Sequence, residues 1–174
     1  IVFPTILPPN KLEYQMDEDT SNRFYETLSF LTDTQNPMHL EYARYRAIEF
    51  LKPELKARYN NAEHIGQTLA GIYRVHMVKR LESSFYAFKK SLHTLQKITA
   101  DMIQMFEEGK VIIAPDLKVK DLQAKGMELD EIIEHAIEKG YLEEDILFKP
   151  EDFDPNFLKL LHNDLEVLNY LNED

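Results

Sequence analysis

The sequence predicts a mainly α protein of long antiparallel helices, with one or two short extended or β segments near the N-terminus and around 111–115. Three observations carry this. Val78, Leu81, Phe85, Phe88, Leu92, Leu95, Ile98, Met102 and Met105 recur every three or four residues, which keeps one apolar face along a helix. No Pro or Gly interrupts Ile72 to Glu108, and Gly109 stands where a helix stops. A second stripe of Phe157, Leu158, Leu161, Leu165, Leu168 and Leu171 follows Asp154-Pro155, a capping acid before a first-turn proline. One helix over 72–108 would be ~55 Å long at 1.5 Å per residue. Such a rod cannot bury its own stripe, so the last helix is expected to pack antiparallel against it.

The other elements follow in order. Three prolines in "IVFPTILPPN" exclude helix there. "KLEYQM" alternates with period two and reads as a short strand. "DEDTSN" supplies N-cap and acidic residues to a helix over roughly 18–32, with Phe24, Tyr25, Leu28 and Leu31 on its apolar side. A second helix is expected to begin near Pro37 and to carry Tyr42, Tyr45, Ile48, Leu51 or Leu55, and Tyr59. Pro53 either kinks it or starts a new turn. "NNAEHIG" reads as a break. "VIIAP" reads as a strand or buried extended segment, "ELDEIIEHAIEKG" as a short helix and "YLEEDILFKPEDFD" as an acidic loop.

Composition bounds the function. At 174 residues, 44% hydrophobic and 29% charged, the chain has the make-up of a globular protein with a real core. It has no cysteine, which excludes disulfide and thiolate chemistry and fits a reducing, cytoplasmic compartment. No apolar run approaches the ~20 residues that span a bilayer, so no membrane partner is expected. The formal net charge of −11 is unevenly spread: residues 74–97 carry +5 and residues 126–174 carry −12. That asymmetry fits a patch facing nucleic acid, and equally two parts of one molecule that attract each other.

Motifs for catalysis are missing. The five glycines are scattered and form no phosphate-binding loop, and the six histidines have no ligand spacing. "LEEDI" and "PEDFD" lack the central Gly and spaced oxygens of a calcium loop. Ser83 and Ser84 have no base nearby in sequence. No catalytic residue, metal ligand or cofactor site is therefore assigned. The basic run remains, with Lys79, Arg80, Lys89 and Lys90 flanking the apolar stripe. These residues can snorkel beside a core seam, pair with the acidic C-terminal helix, or contact a phosphate backbone. Glu82 is expected to pair with Lys79, or with another segment.

"LAGIYRVHMVKRLESSFYAFKKSLHTL" resembles a segment of bacterial Swi/Snf-related superfamily-two helicases. There, a Leu/Met-x-Lys-Arg-Leu-Glu-Ser-Ser-x-x-Ala-Phe signature precedes a long helix. Met77, Lys79, Arg80, Leu81, Glu82, Ser83, Ser84, Ala87 and Phe88 match it. "FPTILPPNKLEYQMDEDTSNRFYETL", "YARYRAIEFLK" and "HNDLEVLNYLNED" are also similar to that family, in the same order. The resemblance implies one segment over 1–174 between two RecA-like ATPase lobes, cut from inside a longer protein. Its implied parts are an extended entry over 1–16, helices over 17–109 and an acidic helical part over 110–174. The parent is implied to be a helicase or DNA translocase using ATP and Mg, while this segment is non-catalytic. Its implied partners are the ATPase lobes of the same polypeptide and double-stranded DNA. Lys79, Arg80, Lys89 and Lys90 are the expected nucleic-acid or lobe contacts, and Glu82, Ser83 and Ser84 the structural motif. An adaptor module that binds partners through a long amphipathic helix is the alternative. Self-association through that helix is a further expectation.

Overall fold

The computed structural model describes residues 15–59, 62–113 and 146–173. The strand expected over "KLEYQM" and the helix over "ELDEIIEHAIEKG" fall almost wholly or wholly outside those residues. Within them the chain is mainly helical, as its apolar spacing predicts. Helix α1 spans Glu18–Thr32, the expected range. The Asp17 carboxylate accepts the Thr20 N–H at 2.7 Å, and Glu18 and Asp19 place negative charge against the helix N-terminus.

No α-helix begins at Pro37. The backbone stays irregular through Tyr42, which adopts a left-handed conformation (φ 54°), and then forms a 3-10 helix over Ala43–Phe50. The cause is remote in sequence. The N–H groups of Glu41 and Ala43 both donate to the carboxylate of Asp164, at 2.7 and 2.8 Å, so they are fixed to another helix. Pro53 does start a new turn, α2 over Pro53–Lys56.

The long rod of 72–108 is two helices. Helix α3 spans Ala62–Ser83 and α4 spans Phe85–Glu107, broken at Ser84 (φ −168°, ψ 117°). Ser84 caps α4, its hydroxyl accepting the Ala87 N–H at 3.3 Å. The break is a reversal, which the 3-10 helix reveals. An added Cβ on Gly66 of α3 would sit 3.2 Å from the Cα of Arg46. Two residues away, Arg44 donates from Nε to the Ile98 carbonyl of α4 at 3.0 Å. Along one unbroken helix Gly66 and Ile98 would stand ~48 Å apart, beyond the reach of those contacts. The two helices therefore fold back from Ser84, and both turn their apolar faces onto this chain's own core.

Gly109 (φ +78°) ends α4 as expected. The Lys110 N–H reaches the Met105 carbonyl and the Gly109 N–H that of Phe106, the paired bonds of a Schellman stop. Strand β1 (Val111–Ile112) then pairs antiparallel with β2 (Leu147–Phe148), with Val111 opposite Phe148. The acidic loop expected over 141–154 thus contains a strand and a 3-10 turn at Pro150–Asp152. Helix α5 spans Pro155–Glu173, and Asp154 accepts the Asn156 N–H at 2.8 Å. It runs antiparallel to α4: Phe157 meets Phe106 at one end, while Asn169 and Asn172 bond Gln96 nearer the other.

Among the described residues, two apolar clusters result. One gathers Met102, Phe106, Val111, Phe148, Phe153, Phe157 and Leu161 beside the 3-10 helix. The other joins Phe30, Leu31, Tyr42, Met77, Leu81, Phe88, Leu92, Leu95 and Leu168.

Candidate nucleic-acid interface

The reversal decides where the basic run lies. Lys79 and Arg80 sit five and four residues before Ser84, and Lys89 and Lys90 five and six after it, all within about 9 Å of the apex along the two helix axes. Lys79, Lys89 and Lys90 are exposed and Arg80 is half-buried. Arg80 donates from Nε to the Nε2 of His76 at 2.9 Å, which turns its guanidinium along α3. The chain from Ser83 to Ala100 contains three lysines and no acid.

Glu82 is exposed and, among the described residues, forms no ion pair with Lys79 or with another segment. The expected pairing is absent because a solvated i, i+3 contact gains too little to hold two long side chains together. Ser83 donates to the Arg80 carbonyl at 3.3 Å and Ser84 caps α4, so the matched serines serve the reversal.

Sequence periodicity assigns Phe85 to the buried stripe, yet it is 51% exposed, because as the first residue of α4 it projects past the end of the core. Its neighbour Tyr86 is 83% exposed. At 100° per residue, Phe85, Tyr86, Lys89, Lys90 and His93 fall within an arc of about 140° on α4, beside the buried face that carries Phe88, Leu92 and Leu95. These five residues and Asn172 of α5 line an open groove of about 530 Å³.

A second polar cluster lies deeper and holds the fold that supports this apex. Asp164 is 3% exposed, and burial pushes its carboxyl up to about 6 although the N–H groups of Ala43 and Glu41 favour the charged form. Beside it, Arg46 bonds both Glu41 and Glu49 at 3.0 Å, and His39 Nε2 lies 3.0 Å from Glu41. Burial pulls the Arg44 guanidinium below its ordinary value, and Tyr45 stacks on Tyr73 with ring centres 3.7 Å apart. Neither Asp164 nor Arg44 announces itself by local spacing; each acts through partners 54 to 123 residues away. Among the described residues, no group of three or more His, Asp or Glu side chains is arranged to hold a metal ion. No helix there is long and apolar enough to cross a membrane.

No family model, no curated protein and no solved structure matches the chain.

Proposed function

We propose that this chain is a non-catalytic helical element of an ATP-dependent nucleic-acid motor, and that the α3–α4 apex touches the nucleic-acid backbone. ATP and Mg would be handled by ATPase lobes of the same polypeptide, as the helicase-like signature implies. One observation carries the reading. Lys79, Lys89 and Lys90 are exposed around the apex of a chain whose net charge is −11, and Glu82 is the one acid in the sequence from Lys79 to Ala100. Exposed like charges near one turn repel each other, and a polyanion relieves that repulsion while releasing its counterions. The adaptor reading has less support. It needs a free apolar seam, whereas Leu81, Phe88, Leu92, Leu95, Met102 and Met105 are buried within this chain. The same burial weakens self-association through that seam.

The test is binding of a labelled oligonucleotide to the chain and to Lys89→Glu/Lys90→Glu, measured over a range of salt. Each lost phosphate contact lowers the slope of log affinity against log salt by ~0.7–0.9, so the double variant should lose ~1.5. An unchanged slope would remove phosphate contact at these lysines.

A further inference from the structure

The helicase-like signature implies duplex DNA, but two features of the apex do not suit a duplex. Phe85 and Tyr86 present 51% and 83% of their surfaces to solvent side by side at the start of α4, and neither belongs to either core cluster. A duplex buries its base faces in its own stack and offers a protein at this surface only phosphates and groove edges. An unpaired strand offers alternating flat bases and phosphates, and proteins that bind it place aromatic rings beside cations. The first two turns of α4 have that composition, because Lys89 and Lys90 stand one turn beyond Phe85 and Tyr86 on the same arc. The groove they line with His93 is open and about 530 Å³ in volume, room for a nucleobase and its sugar.

We infer that the α3–α4 apex binds an unpaired nucleic-acid strand, stacking a base on Tyr86 with Phe85 beside it and taking the adjoining phosphates on Lys89 and Lys90. This rests on the nucleic-acid reading above and sharpens it. It makes the apex a sensor of opened strand, not a clamp on closed duplex. Charge complementarity calls for a polyanion, and the exposed rings choose among polyanions. An acidic peptide would satisfy the lysines but would leave the exposed rings without a flat partner.

The experiment compares a fluorescein-labelled oligo-dT of 20 nucleotides with a labelled duplex of equal length. The proteins are the native chain, Tyr86→Ala, Tyr86→Phe and Lys89→Glu/Lys90→Glu. Tyr86 packs in neither core cluster and alanine favours helix, so Tyr86→Ala should keep the native circular dichroism and melting curve. Stacking supports a loss of roughly 5- to 150-fold on oligo-dT for Tyr86→Ala, with duplex affinity changed less than twofold. Tyr86→Phe keeps the ring and should bind as the native chain does. If the lysine variant lowers the salt slope while Tyr86→Ala binds both probes normally, base stacking is wrong and phosphate contact survives. Equal losses on both probes also overturn stacking. If the native chain binds neither probe, both readings fall.

Discussion

Raising the pH from 4 to 7.5 should weaken the fold through one side chain, Asp164. Its carboxyl is 3% exposed and is moved by burial from an ordinary 3.8 to about 6. Between those values the folded chain holds a proton that the unfolded chain has released. Stability from this group is therefore complete below about pH 4 and lost as the pH rises through 6. At 1.36 kcal/mol per pH unit the loss is roughly 3 kcal/mol, a large share of a typical 5–15 kcal/mol. Asp164→Asn isolates it. The amide accepts one of the N–H bonds from Glu41 and Ala43 but turns an NH₂ toward the other, which costs about 1–3 kcal/mol at any pH. Near pH 4 the variant should be less stable than the native chain by that amount. Near pH 7 the gap should close or reverse, since the native chain then carries a buried charge. Urea unfolding of both proteins at four pH values measures the difference, in which the other carboxylates cancel. A gap that does not change with pH would refute the reasoning.

Three further substitutions test the packing. Gly66→Ala would normally steady a helix by about 0.5–1 kcal/mol, but its Cβ would lie 2.5 Å from Glu49 Oε1 and 3.2 Å from the Arg46 Cα. The crowding should make it a net loss of about 1 kcal/mol in urea, and a gain would mean that α3 does not press on the 3-10 helix. Phe157→Ala empties a fully buried site stacked on Phe50 and Phe153, so calorimetry should find a loss of about 3–5 kcal/mol. Gly109→Ala meets no atom within 4 Å but puts a side chain at φ +78°, for a loss of about 1 kcal/mol and a fall of about 2–4 °C in melting temperature.

What local pattern could tell was told by the sequence. The N-cap at Asp17, the stop at Gly109 and the proline start of α5 are each written within a few residues, and α1 has its expected bounds. The antiparallel pairing of α4 with α5 followed from two complementary stripes. The break at Ser84 did not, because the stripe stays in step across it: Leu81 and Phe88 are seven residues apart and both buried. The absence of Gly and Pro predicts continuity, whereas a serine N-cap suffices to break the helix when tertiary contacts favour a reversal. The 3-10 helix is illegible in the sequence for a related reason. Its geometry is imposed by Asp164, some 120 residues later, which no local window contains. At the candidate site the lysines were legible as a charge run. The exposed rings were not, since periodicity assigns Phe85 to the core and is silent on Tyr86.

The turn at Ser84 can be measured directly, and the grouping of Lys79, Arg80, Lys89 and Lys90 depends on it. The chain lacks cysteine, so spin labels on Gln67→Cys and Lys97→Cys, both exposed positions, report one distance by electron double resonance. Helices folded back on each other predict a distribution centred below about 30 Å. A centre near ~45 Å, the span of thirty residues on one straight helix, would contradict the reversal and with it the site.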